Sequence, residues 1–367
     1  MISRRLLLTT ALVAASATLP ASVQADEPIK VVATFSILGD MVGVIGGDAI
    51  ELTTLVGPQG DAHVYSPTPQ AAAAVSDADV LVINGLEFEG WLERLMEAAS
   101  FDGKLVVATD GIEAIAYDDH DDHDAHGHDD HAEHKHDDHG HEDHAEHKHD
   151  EHGHEDHAEH KHDEHGHDDH AHGEEKHDDH AGHDDHAGHN HGAFDPHAWL
   201  SPTLAMTYVD NIAAGLAQAA PEGASAFYEN RAAYSAELET LNADITAMMA
   251  ALPEDRRTVV TTHDAFQYFA RHYGLTFMAP QGLSTASEAS AKDVAELIEF
   301  MRAEGISAVF VENIADGRLL EQIATETGAG IGGTLFPGAL SKEDGPAATY
   351  LDLMRHNAAT IAGALGS

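Results

Sequence analysis

Histidine is the residue type with the clearest chemical meaning in this sequence, because neutral imidazole is the commonest metal ligand in proteins. Of 32 histidines in 367 residues, 27 lie in the stretch 118–192, with 28 acidic residues and four lysines. In this histidine-rich tract a 13-residue unit recurs from His131, His144 and His157. Having no Leu, Ile, Val, Phe or Trp, it cannot bury an apolar core and is expected to be disordered when metal-free. Its composition predicts weak metal binding, although a solvated acidic linker or the expansion of a repeat without a role would have the same composition.

The five other histidines differ in their setting. His272 and His356 fall inside predicted helices, where a lone histidine is more often a surface or core residue than a ligand. His63 and His263 follow the ends of predicted strands, and His197 lies in a loop before a helix. In open α/β sheets, ligands bind outside the carboxyl ends of the strands. These three histidines are therefore predicted to share a metal site.

Acidic residues could complete and orient this site. Asp61, Asp195 and Asp264 each neighbour one of the three histidines, and such carboxylates can accept the second imidazole N–H. A tetrahedral site needs a fourth ligand. Asp316 is favoured, because it lies in the loop after a predicted strand, although capping the helix that begins near Gly317 would also explain it. Glu312, at the end of that strand, and water are the alternatives; Glu312 could instead be a structural acid that pairs with an arginine or a backbone amide.

Composition and the N-terminus limit the possible functions. Arg4 and Arg5, an apolar run and a small-residue site before Asp26 predict a signal peptide over 1–25, using either the general or the twin-arginine route, and export to the periplasm. Cysteine is absent, which removes disulfides and a lipidated cysteine. The net charge of −47 argues against nucleic acid and anionic membranes as partners. Without an HExxH, GxSxG or glycine-rich phosphate motif, an enzyme is not expected.

The hydrophobic pattern predicts an α/β fold of two lobes with mainly parallel sheets, because short apolar strands alternate with amphipathic helices. The expected organisation is an N-terminal lobe over 26–220 with the tract 118–192 inserted, a linking helix over 221–253 and a C-terminal lobe over 254–367. A helix of some 30 residues would span roughly 45 Å. It is therefore interpreted as a rigid connector along both lobes, rather than as a long helix within one domain.

Five segments in order resemble the metal-binding periplasmic proteins of bacterial ABC uptake systems, of the zinc-binding ZnuA/AztC type. They read TFSILGDMV from Thr34, GPQGDAHVYSPTP from Gly57, FDPHAWLSP from Phe194, TTHDAFQYFARHYGL from Thr261 and VFVENIADGRLLEQIA from Val309. The resemblance implies two lobes, a backbone helix and metal in the interlobe cleft. It places the family's ligands on His63, His197, His263 and Asp316. Many zinc members also carry a histidine-rich loop at the position of this tract.

The resemblance also implies a metal and a partner. Manganese-handling members have a glutamate at the position of His263, and some zinc members have an acid at that of Ala62, which cannot ligate. Three imidazoles and one carboxylate favour Zn²⁺ over Mn²⁺. The expected function is a monomeric solute-binding protein, not inserted in the membrane, that delivers Zn²⁺ to an inner-membrane ABC permease. A zinc buffer or sensor acting mainly through the tract, and a manganese-binding transport component, remain alternatives.

Overall fold

The computed structural model describes residues 27–117 and 193–366. The predicted signal peptide and the histidine-rich tract lie outside these residues. Residues of both predicted lobes belong to one compact unit. None of the helices within 27–117 and 193–366 is long and apolar enough to cross a membrane.

The first lobe contains a four-stranded parallel sheet in the order β2-β1-β3-β4. Continuous apolar runs form its central strands, which are buried on both faces, as expected for a parallel sheet covered by helices. Thr68 begins the second helix, because its side chain accepts the Ala71 N–H as an N-cap. The elements in chain order are β1 Ile29–Phe35, α1 Ser36–Gly46, β2 Ile50–Val56, α2 Pro69–Ser76, β3 Val80–Ile83, α3 Leu92–Ala99, β4 Lys104–Val107 and α4 Pro202–Ala219.

A single long helix, α5 (Ala224–Ala250), joins the lobes. The predicted helix over 221–253 is shorter in the structure, because Pro221–Gly223 forms a separate 3₁₀ turn. At about 1.5 Å per residue, α5 spans roughly 40 Å. It packs on α1 and α4, and also on the helices α6 and α9 that follow it. Its buried residues belong to one apolar core that contains residues of both lobes, which is the physical basis of a rigid connector.

The second lobe repeats the topology of the first, with a parallel sheet in the order β6-β5-β7-β8. A smaller second core lies between β5, β7, α7 and α8. The fold class predicted from the sequence is thereby confirmed. The elements are β5 Thr258–Val260, α6 Gln267–Tyr273, β6 Thr276–Met278, α7 Ala291–Glu304, β7 Ala308–Glu312, α8 Arg318–Thr327, β8 Gly330–Leu335 and α9 Tyr350–Leu365.

Strand β8 is an element that the sequence did not predict. Its sequence GIGGTL contains three glycines, which usually indicate a turn. Here the glycines allow α9 to approach the sheet closely: a Cβ at Gly332 would lie 3.0 Å from the Cβ of Ala364, and one at Gly333 would lie 2.6 Å from Thr360. Gly333 also has a φ of +144° and lies at an irregularity in the pairing with β7. The glycines therefore serve packing rather than chain reversal.

Candidate metal centre

Three histidines from both lobes converge in the structure. His63 lies in the loop between β2 and α2, His197 in the loop before α4, and His263 directly after β5. One ligating nitrogen of each ring lies within 4.8 Å of the other two. The Nε2 atoms of His63 and His197 are 3.2 Å apart. This is the one group with potential for metal binding among residues 27–117 and 193–366.

Sheet topology explains why these residues meet. In each lobe the strand order reverses beside the first strand, between β1 and β3 and between β5 and β7. Such a reversal opens a crevice at the carboxyl ends of the strands. In the second lobe, His263 lies three residues beyond the end of β5, and Glu312 is the last residue of the neighbouring strand β7. The histidine of the second lobe thus faces those of the first.

Asp195 orients His197, as the sequence predicted. Its Oδ1 accepts both the backbone N–H and the Nδ1–H of His197, at 2.9 and 2.8 Å. Both side chains are almost fully buried. An imidazole that donates through Nδ1 leaves the Nε2 lone pair for a metal. His197 is therefore held in the tautomer and the orientation that a ligand needs.

Glu312, rather than the predicted Asp264, orients His263. One oxygen of Glu312 accepts the N–H groups of Thr262 and His263, and the other accepts Nδ1–H of His263 at 2.5 Å. Asp264 instead accepts a hydrogen bond from Gln267. The sequence had left Glu312 open as a structural acid or a fourth ligand. The pairing of β5 beside β7, which places Glu312 next to His263, could have identified this role.

Asp61 has a different relation to His63. One of its oxygens accepts the backbone N–H of His63 at 2.9 Å, and the other accepts the Thr285 hydroxyl at 2.5 Å. Thr285 belongs to the second lobe. Asp61 therefore fixes the backbone of the His63 loop against the opposite lobe, and neither of these two bonds involves the His63 ring.

Aromatic residues form the inner wall of the site. The ring of Phe88 packs edge-on against His63, with centroids 4.7 Å apart, and Trp199 packs against His197 at 5.2 Å. Phe88 and Trp199 also contact each other. Sequence reasoning did not assign these two residues to the site. The quoted segment around Trp199 could have indicated that residue, whereas Phe88 had no such indication. An apolar wall excludes water and strengthens electrostatic interactions within the site.

Burial and mutual repulsion determine the charge of the three imidazoles. Desolvation, and then the charges of the neighbouring imidazoles, hold the pKa of His63 and that of His197 well below the usual value. Desolvation also acts on His263, but the charge of Glu312 and its hydrogen bond outweigh it and raise the pKa of His263. Burial raises the pKa of Asp195 to about 7. Near neutral pH, His63 and His197 are thus ready to accept a cation without first losing a proton.

One buried polar atom shows whether the residues of this centre fit a metal ion. The Nε2 atom of His263 is buried and has no hydrogen-bond partner among the described residues. Such an atom costs free energy unless something binds it. It belongs to the same group as the ligating nitrogens of His63 and His197. A cation held by the three nitrogens would satisfy it, so the donor set fits a bound metal ion.

The remaining candidates lie elsewhere. Asp316 is not part of the three-histidine group; its side chain is 58% exposed and forms an ion pair with Arg318, whose backbone N–H it also accepts. This arrangement corresponds to the capping alternative. His272 bonds Asn242, and His356 lies against the Thr334 carbonyl, both on the protein surface. The structure therefore brings together three of the four predicted site residues.

The fold and this centre define a class of protein, a two-lobed metal-binding solute-binding protein. The chain belongs to the family described as zinc-uptake complex component A, periplasmic (ZnuA), whose sequence profile matches residues 31–364. Members of this family bind metal for ABC transport and are not enzymes. The sequence-based assignment to the family, and the expectation that the protein is not an enzyme, agree with this match.

Similar proteins carry the names of different metals. The manganese-binding lipoprotein MntA of Halalkalibacterium halodurans is 26% identical over 339 residues, which cover 92% of this chain and 89% of MntA. The iron-binding protein YfeA of Yersinia pestis is 25% identical over 340 residues, covering 93% and 87%. A manganese-bound periplasmic metal-binding protein of candidatus Liberibacter asiaticus has a TM-score of 0.68 at 26% identity, covering 92% of this chain and 99% of that one. The periplasmic zinc-binding protein TroA of Treponema pallidum has a TM-score of 0.70 at 24% identity, covering 92% and 99%, a likeness of fold alone.

Proposed function

We propose that the chain captures Zn²⁺ in the periplasm and delivers it to an inner-membrane ABC permease. The observation that carries this proposal is the convergence of three imidazole nitrogens within 4.8 Å of one another. Zinc favours nitrogen and sulfur ligands in a tetrahedral arrangement, whereas manganese favours oxygen-rich sites. The ligands that we propose are His63, His197 and His263, with the first two held neutral by their lowered pKa values.

Asp316 stays the predicted fourth ligand, and this role requires a rearrangement. To reach the metal, Asp316 must leave its ion pair with Arg318. Because both partners are exposed, this pair contributes little to stability and is easily broken. Glu312 is the weaker alternative, because its oxygens already hold His263 and two backbone amides. The variant Asp316→Ala is expected to lower zinc affinity, while Glu321→Ala, an exposed acid on the following helix, is its control. Equal zinc affinity in both variants would leave water or Glu312 as the fourth ligand.

With Asp316 as the fourth ligand, protein side chains would fill every position around the ion, which suits carriage rather than catalysis. A catalytic zinc keeps an open position for substrate, whereas a site filled by protein ligands only holds the ion. The predicted signal peptide supports export, and the family supports a permease as partner. The predicted monomer is part of the same proposal, since the described site takes all of its histidines from one chain.

Two other functions have specific support. Manganese or iron carriage is favoured by the names of the similar proteins. A buffer or sensor acting through the tract is favoured by its 27 histidines. The tract lies outside the described residues, but the residues that flank it pair directly, with Tyr117 N–H donating to the Ala193 carbonyl at 3.0 Å. A variant that lacks residues 119–190 can therefore keep the hydrogen bond between Tyr117 and Ala193.

One set of titrations separates these functions. Zn²⁺, Mn²⁺ and Fe²⁺ are titrated into the full-length protein, the variant lacking 119–190 and His197→Ala, each against a competing chelator. A zinc carrier keeps one tight zinc per chain without the tract and loses it in His197→Ala; His272→Ala, an exposed histidine, is the matched control. Loss of tight binding on removal of the tract would identify a buffer. Dissociation constants are corrected for the chelator's own affinity for each metal. If the protein then binds Mn²⁺ or Fe²⁺ more tightly than Zn²⁺, it is a carrier of that metal.

A further inference from the structure

The two chain segments that flank the tract form a short antiparallel pair, which we call the stem (residues 115–117 and 193–195). Ala116 and Phe194 are bridged, with hydrogen bonds from Tyr117 N–H to the Ala193 carbonyl at 3.0 Å and from Asp195 N–H to the Ile115 carbonyl at 2.9 Å. The stem belongs to the first lobe and ends two residues before His197. The position of the stem therefore affects the position of His197 in the metal centre.

A hydroxyl from the second lobe is inserted into the stem. In a regular antiparallel pair, opposite residues exchange two N–H···O bonds. Ile115 and Asp195 make one of these bonds directly. In place of the second, Ile115 N–H donates to the hydroxyl oxygen of Tyr268 at 3.1 Å, and that hydroxyl donates to the Asp195 carbonyl at 2.9 Å. Tyr268 lies on α6 and is buried.

The inserted hydroxyl fixes a residue that orients a proposed ligand. Asp195 holds the backbone of His197 and its imidazole through the same carboxylate oxygen. The other oxygen, Oδ2, is buried and has no hydrogen-bond partner within the described residues. The side chain of Asp195 is therefore positioned by its own backbone and by His197. A shift of the Asp195 backbone would move the imidazole with it.

The same contact links the two lobes next to the centre. Helix α6 begins four residues after His263, and Ala265 N–H donates to the His263 carbonyl. His263 also pairs with Gln281, and a Cβ at the next residue, Gly282, would lie 3.0 Å from the Tyr117 hydroxyl of the stem. The stem, which leads directly into His197, thus contacts the segment that pairs with His263.

We propose that Tyr268 is a positioning residue for the metal centre: its hydroxyl, inserted between Ile115 and Asp195, sets the distance between the imidazoles of His197 and His263. This inference rests on the proposed function, since it assigns Tyr268 a role at that same site. Burial raises the pKa of the Tyr268 hydroxyl to about 12, so the group remains a donor to Asp195 at physiological pH.

The test compares Tyr268→Phe with Tyr273→Phe in the full-length protein. Both residues lie on α6, and the Tyr273 hydroxyl bonds Asn242 instead of the stem. Each variant thus keeps its ring and loses one hydroxyl. Binding is followed with Zn²⁺ at chelator-buffered concentrations by tryptophan fluorescence, because Trp199 packs on His197 and the tract contains no tryptophan. Dissociation is measured by stopped flow with excess chelator.

Tyr268→Phe is expected to release Zn²⁺ about tenfold faster than the wild type, the factor expected when a buried hydrogen-bond partner is lost. Tyr273→Phe is expected to release it at the wild-type rate. The unfolding temperature of the metal-free protein separates a role in metal binding from a role in stability alone. If Tyr268 only stabilised the fold, Tyr268→Phe would have a lower unfolding temperature and the wild-type rate of Zn²⁺ release.

The possible failures are distinguishable. Equal release rates for the two variants would overturn the role of Tyr268 and leave the zinc site intact. A wild-type protein with no tight zinc site in the cleft would overturn the proposed function, and this inference with it.

Discussion

Replacing Glu312 by glutamine is the sharpest test of how the centre is oriented. The carboxylate accepts three hydrogen bonds, from the N–H groups of Thr262 and His263 and from Nδ1–H of His263. A glutamine of the same shape has one oxygen and one NH₂ group. Its oxygen is expected to face the two backbone amides, which cannot change their chemistry. Its NH₂ group then faces Nδ1 of His263, which must become an acceptor.

The consequence is a change of tautomer. A neutral His263 with Nδ1 as acceptor carries its proton on Nε2, the nitrogen that faces His63 and His197. Zinc must then displace that proton. Loss of an orienting partner of this kind typically lowers metal affinity by about 10- to 100-fold, or about 1.4 to 2.7 kcal/mol. Losing a charged hydrogen-bond acceptor is also expected to lower the free energy of unfolding of the metal-free protein by about 1.5 to 3 kcal/mol.

The pH dependence has a defined sign. Glu312 raises the pKa of His263 above its value in the unfolded chain. The stabilisation from this pair is therefore fully present below the unfolded pKa of about 6.5 and is lost as pH rises through the raised folded value. In Glu312→Gln this contribution should disappear, leaving burial to lower the pKa of His263. The stability difference between the two proteins should accordingly be largest below about pH 6.5.

Three measurements check this reasoning. Zinc affinity is measured by chelator competition, the pKa and tautomer of His263 by nitrogen-15 NMR of the imidazole, and stability by urea unfolding. Glu89→Gln is the matched control: Glu89 is also buried and accepts two backbone N–H groups and the Thr34 hydroxyl, and none of these three donors belongs to a histidine. It should lose stability and keep the His263 tautomer. Wild-type zinc affinity in Glu312→Gln, or an Nε2 that stays unprotonated, would refute the reasoning.

Two further predictions concern protons and packing. At pH 6, zinc binding to the variant lacking 119–190 should release between one and two protons, because the pKa values of His263 and Asp195 are raised. Calorimetry in buffers of different ionisation enthalpy measures this number. A release of three or more protons would mean that all three imidazoles were protonated before binding. Gly215→Ala should destabilise the protein by about 1 to 3 kcal/mol, because the added Cβ would lie 2.3 Å from Val106. In Gly363→Ala the added Cβ meets nothing within 4 Å, so this variant should be neutral or stabilised by up to about 1 kcal/mol. Urea unfolding of both variants tests this prediction, and equal stabilities would contradict it.

Much of the fold could be predicted from the sequence, because hydrophobic periodicity and terminal signals are local. The continuous apolar run IKVVATF forms the buried strand β1, and Thr68 caps α2; residue type alone favours both. The order of strands and helices was sufficient for the two-lobed α/β class. Strand β8 was missed, since its glycines are explained by the close approach of α9, and no local pattern shows which helix packs on a segment.

For the metal centre, the sequence determined the candidate histidines and the tertiary structure decided their partners. Position in loops was enough to select the three histidines: His63 and His263 follow strand ends, whose carboxyl edges bind ligands in parallel sheets, and His197 precedes a helix. Proximity along the chain correctly suggested Asp195 but wrongly suggested Asp264, since Glu312 reaches His263 only through the pairing of neighbouring strands. The insertion of Tyr268 into the stem likewise depends on contact between residues about 70 to 150 positions apart. Local sequence determines which groups are available, and only tertiary packing decides which of them meet.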